Sequence, residues 1–72
     1  MKKFAMIENI GRWESANGKM LIYGTVEKVQ IVAESDDPAE LKAPAKTEYW
    51  ADGTWHSYSV ELRKNARRMV KA

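Results

Sequence analysis

No cysteine occurs in this chain, and His56 is its only imidazole. The first absence removes disulfides and thiolate metal centres. The second leaves a zinc or transition-metal site short of ligands, so neither a metal nor another cofactor is expected. A small domain without disulfides fits a reducing cytoplasm better than an extracellular setting. Long apolar runs are missing too: Phe4-Ala5-Met6-Ile7 follows Met1-Lys2-Lys3 but ends at Glu8 and Asn9, too short for the core of a signal peptide. Nothing approaches the ~18 apolar residues of a membrane helix, so no membrane is expected among the partners. The four glycines are scattered and build no phosphate-binding loop. Acidic residues are absent after Glu61, whereas Arg63, Lys64, Arg67, Arg68 and Lys71 crowd into that stretch. The body, residues 1 to 62, leans acidic and the tail is basic.

With 72 residues the chain has room for one domain, spanning residues 1–72. A chain this short buries only ~60% of the surface it exposes when unfolded. Its core supplies a net stability of roughly 3–5 kcal/mol, too little to support a deep substrate cavity. The hydrophobic fraction of 44% and charged fraction of 31% are those of a folded chain. An enzyme is not expected: Ser57 and Ser59 follow His56, but Ser57, its strand neighbour, points to the opposite face. The acidic stretch Glu34, Asp36, Asp37 and Glu40 lacks the spacing of a calcium loop and reads as solvated.

Residues 4 to 13 and 20 to 33, rich in Ile, Val, Tyr and Trp, flank Asn17-Gly18, a strong signal for a type I′ hairpin. Counting outward pairs Trp13 with Ile22 and Phe4 with Ile31, but it also sets Glu8 against Glu27, which is unfavourable. A bulge near Gly11 or Gly24 would relieve the clash. The apolar phase slips between Val26 and Val29, so the second strand should bend. Asp37 then caps a helical segment that Pro38 begins and Pro44 ends, at most a two-turn helix or a 3₁₀ turn, the alternative being a surface loop from Glu34 to Ala45. Residues 46 to 51 and 54 to 60 flank a second turn, Asp52-Gly53. As a two-residue loop it would face Trp50 with Trp55 and Tyr49 with His56, stacking the histidine on Tyr49. From Glu61 the period changes to that of a helix, with Leu62, Ala66, Met69 and Val70 on one side, basic residues on the other and Ser59 as the cap.

The expected fold is therefore α+β: a small antiparallel β-sheet of two hairpins, a short helical connection and a C-terminal amphipathic helix packed by Leu62, Ala66 and Met69. The alternative is a small SH3-like or OB-like partly closed barrel. Two surfaces suggest function. The first is a flat Trp50–Trp55 face with Glu48 and Ser57, suited to binding a larger protein or protein–nucleic acid complex. Such a chain would be an adaptor or inhibitor, acting by occlusion as small phage-encoded inhibitors of host or defence machinery do. The second is the basic helix, where Arg63, Lys64, Arg67, Arg68 and Lys71 would track the phosphates of DNA or RNA while nearby aromatics stack on bases.

Overall fold

The computed structural model describes residues 2–71, apart from the Tyr23 side chain. Its elements are β1 (Phe4–Ala16), β2 (Lys19–Ser35), a 3₁₀ turn (Pro38–Glu40), β3 (Glu48–Tyr49), β4 (Thr54–Leu62) and α1 (Arg63–Met69). The strands form one curled antiparallel sheet, a half-barrel in the order β2-β1-β4-β3, so β1 is central and paired on both sides. The molecule is elongated, measuring 47 × 22 × 16 Å.

The first hairpin turns at Asn17-Gly18, with φ of 52° and 73°, the two left-handed residues of a type I′ turn. Trp13 faces Ile22 as the turn dictates. Beyond that pair β2 gains residues on β1, with register shifts between Gly11 and Trp13, Ile10 and Gly11, and Met6 and Ile7. The two shifts at Gly11 lie where that glycine predicted a bulge, the one between Met6 and Ile7 was not expected, and together they absorb the difference between 17 residues in β2 and 13 in β1. Their effect is electrostatic as well as geometric. Glu8 is carried past Glu27 to face Gln30, and Phe4 faces Ser35 rather than Ile31.

One face of the sheet carries the apolar core, where Ala5 and Ile7 of β1, Val29 of β2 and Ala66 of α1 are buried, with Val26 and Ile31 packed against them. Ile7 is the one large side chain fully buried among the described residues. The helix therefore packs through Ala66, not through the expected stripe: Leu62, Met69 and Val70 are exposed. The reason is length. Seven residues place a single position squarely over the sheet. Nor does Ser59 cap it, because β4 runs on to Leu62, which caps without a side-chain bond. Instead Arg63 donates its N–H to the Lys3 carbonyl at 2.8 Å, tying the start of α1 to the start of β1. At the other end Lys71 exchanges both backbone bonds with Val29, at 2.8 and 2.9 Å, so the chain returns to the outer edge of β2.

The connection after β2 is a single 3₁₀ turn, shorter than a two-turn helix. Asp37 Oδ1 accepts from the Ala39 N–H, and Pro38 sits at the first position. Glu40 reaches the Ser35 hydroxyl, and Asp36 accepts from the Lys3 N–H, so the acidic residues here serve separate local bonds.

Candidate protein-binding surface

The second turn departs from the two-residue expectation. Trp50 donates its N–H to the Thr54 carbonyl and accepts from Gly53, so Ala51-Asp52-Gly53 forms a three-residue loop. Gly53 takes φ of 90°, as the left-handed position of such a loop requires. One extra loop residue slips the register by one and turns every side chain of one strand to the other face. Tyr49 now faces Trp55, and Glu48 faces His56. The Trp50–Trp55 pair does not form. Trp50 and Glu48 share the face of His56, while Trp55 and Ser57 lie on the face that bears the helix.

The two indoles consequently have different surroundings. Trp55 lies flat over Gly11, its cross-strand neighbour, so close that a Cβ at position 11 would overlap its six-membered ring. Its Nε1 is buried with no hydrogen-bond partner among the described residues. Trp50 instead stacks on His56, with ring centroids 3.7 Å apart and planes at 21°, and stays 45% exposed. The stack replaces the His56–Tyr49 contact that the two-residue turn implied.

Beneath Trp50 runs a chain of polar bonds. Asp52 Oδ1 accepts from the Thr54 hydroxyl at 2.6 Å, and the Thr54 oxygen lies 3.1 Å from His56 Nε2. On the other side of the ring, His56 Nδ1 lies 2.8 Å from Glu8 Oε2. The Tyr58 hydroxyl donates to the same oxygen at 2.7 Å, and Gln30 Nε2 donates to Oε1 at 2.6 Å. Thr54 gives its proton to Asp52 and the charged Glu8 can only accept, so the Thr54 oxygen and Glu8 Oε2 present acceptors to the two sides of the His56 ring.

Burial works against the charge of Glu8, but the bonds from Tyr58, Gln30 and His56 together outweigh it and hold the carboxyl below its ordinary value. Tyr58 moves the other way: burial, the bond to Glu8 and the charges of Glu8 and Glu48 push its hydroxyl up to about 12. The Thr54 hydroxyl and N–H lower the Asp52 carboxyl. Sequence reasoning saw Glu8 only as a repulsive partner for Glu27. The available signal was an acid in phase with strand positions that also carry His56 and Tyr58.

The backbone of Trp50 is fixed from β1. Trp13 donates Nε1–H to the Trp50 carbonyl at 2.8 Å and its own N–H to the Gly53 carbonyl at 3.0 Å. Beside this contact lies an open cleft of about 570 Å³, lined by Trp13, Gly53, Thr25 and the Arg12–Glu27 ion pair. Trp50 is thus a half-exposed indole held by its ring, its backbone and the turn beneath it.

The basic residues divide as well. Arg63, Lys64 and Arg67 line a shallow cleft with Lys2 and Lys3, and Arg63 is bonded to both oxygens of Glu34. Arg68 is exposed, whereas Lys71 sits at the edge of β2 with its Nζ on the Val26 carbonyl. Among the described residues no helix is long and apolar enough to cross a membrane. Compared with protein-family models, with curated proteins and with solved structures, the chain matches none.

Proposed function

We propose that this protein is a small non-catalytic binding module that engages a larger protein through Trp50, with Glu48 at the rim and the neighbouring Trp13–Gly53 cleft receiving a side chain of the partner. The observation that carries the reading is the mounting of Trp50. An indole left 45% exposed while its ring and backbone are both held loses little conformational entropy on binding. Aromatic anchors of this kind concentrate affinity. The acid–base groups nearby support the same role, since His56 and Glu8 are buried and saturated by neighbours rather than presented to a substrate. Trp55 and Ser57 are assigned to packing on the opposite face.

The test is a capture experiment from the native host, with nuclease present, followed by affinity measurement on the purified partner. Trp50→Ala is expected to cost roughly 2 kcal/mol or more in affinity while the protein stays folded. An Arg67→Ala/Arg68→Ala variant is expected to bind normally. A folded Trp50→Ala protein with undiminished affinity would remove the site. Loss of all partners on nuclease treatment would transfer the function to the basic helix and nucleic acid.

A further inference from the structure

The accessible surface of the chain is 5165 Å², about 600 Å² above the ~4,500 Å² that scaling gives for a folded monomer of 8.2 kDa. The first hairpin projects beyond the rest of the sheet. Pairing of β4 with β1 ends at Arg12, and past it β1 and β2 continue as a two-stranded ribbon on which Met20, Leu21 and Ile22 are each about half exposed. A ribbon of this kind is marginal alone in water.

The outer edge of the ribbon is open. β2 ends the sheet, and the C-terminal tail meets it at Val29 and, through Lys71 Nζ, at the Val26 carbonyl, which keeps a second lone pair for a partner strand. Between Lys19 and Glu27 the strand runs Met20 to Val26 with neither a charge nor a proline, so of the usual edge-protecting devices it carries the bulge between Ile22 and Val26, after which the phase of the two residues agrees again. We infer that this edge pairs with the same edge of a second copy, about a two-fold axis at residue 23, extending the sheet across two chains.

The register follows from hydrogen-bond phase. In a two-residue hairpin the closing pair, Ala16 and Lys19, bond to each other, so Met20 and Ile22 turn their N–H and C=O outward. The bonds on β1 agree: Trp13, opposite Ile22, directs its N–H away from β2 to Gly53. Val26, opposite Gly11, is in the same phase, and its carbonyl accepts from Lys71 Nζ on the outer side. Outward residues must meet outward residues, so the axis passes through a residue and not between two.

Centred on residue 23, Met20 faces Val26 of the second copy, Leu21 faces Thr25, Ile22 faces Gly24, and Lys19 faces Glu27 at both ends. Centred on residue 22, Lys19 meets Thr25 and no opposite charges pair. Centred on residue 24, Glu27 meets Leu21 and Lys28 meets Met20. One register alone is complementary in phase and in charge. Trp50 lies at the opposite edge of the sheet, but Thr25 and Glu27 of this edge also line the cleft beside Trp13, so the Trp50→Ala affinity test and the assembly test are read separately.

The experiment is sedimentation velocity over a concentration series on the full chain and three variants, with far-UV circular dichroism to establish that each is folded. The parent is expected to reach twice 8.2 kDa. Lys19→Glu sets a pair of like charges at each end of the paired edge, as does Glu27→Lys, and each should weaken the dimer roughly tenfold or more. The doubly exchanged Lys19→Glu/Glu27→Lys chain restores both pairs between copies, and although Glu27→Lys gives up the bond from Arg12 within the chain, it should assemble more tightly than either single variant. A parent that stays monomeric to millimolar concentration, assembly beyond the dimer, or a double variant as weak as the singles would each overturn the proposal.

Discussion

Gly11 and Trp55 occupy one another's space, and this predicts a change of sign between two backgrounds. In the parent, Gly11→Ala inserts a methyl into the volume of the Trp55 ring. The glycine lies in the central strand, between Val26 and Trp55, so its backbone cannot retreat without disturbing both ladders. The indole must therefore swing away. Overpacking of this kind costs about 1–3 kcal/mol, and expulsion of a large side chain moves the cost towards ~3–5 kcal/mol. Taking ~2 kcal/mol as a working value, the melting temperature should fall by roughly 8–16 °C for a domain of this size.

In a Trp55→Leu background the obstruction is gone while apolar cover remains. There Gly11→Ala should be neutral or should stabilise by up to ~1 kcal/mol, because alanine loses less backbone entropy than glycine on entering a strand. The four proteins of this cycle would be compared by urea denaturation followed by far-UV circular dichroism, which does not depend on the indole being replaced. Equal effects of Gly11→Ala in both backgrounds would refute the reasoning. That outcome would mean that position 11 is constrained by its backbone rather than by Trp55.

Alkaline stability should report Tyr58. Its folded pKa of about 12 exceeds the ordinary 10, so the stabilisation it contributes is complete below pH 10 and is lost as pH rises towards 12. Thermal melts between pH 9 and 12 should show a decline that Tyr58→Phe flattens, and an unchanged slope would contradict the assignment. Glu8 acts on the acid side: its folded pKa lies below its ordinary 4.5, so its contribution is present above that value and is lost as pH falls through the folded one. Glu8→Gln should accordingly show a shallower acid limb in the same melts. Gly18→Val and Gly53→Val each force a branched residue to positive φ and should cost ~1–2 kcal/mol or more, read as a lowered urea midpoint.

The α+β class, the first hairpin and the bulge at Gly11 were legible because Asn-Gly and an isolated strand glycine have narrow local meanings. The second turn was not, because Asp-Gly suits both a two-residue loop and a three-residue loop whose last position is glycine. That single residue decided which face Trp50 occupies, and the candidate site changed with it. The polar chain from Asp52 to Glu8 was hidden for a different reason. It depends on pairing between β1 and β4, joining Glu8 to residues some fifty positions later, and no local pattern encodes that pairing. The helix was visible as a period, but burial of Ala66 alone reflects its length and crossing point, which are tertiary properties.

The central place of β1 also determines the order in which this molecule can be completed. As the chain is synthesised, the first hairpin can close when residue 35 has emerged, since its contacts are local to one turn. The other side of β1 must wait for β4, whose last pair joins Phe4 to Leu62. Until then, Ala5 and Ile7 have no helix over them, and the bonding edge of β1 faces the surroundings. A fold whose middle strand precedes both of its partners and closes on the more distant of them has a high proportion of distant contacts, so folding in the millisecond-to-second regime is expected. The newborn chain is at its most adhesive between closure of the first hairpin and arrival of β4, and crowding by other nascent copies should matter most within that interval.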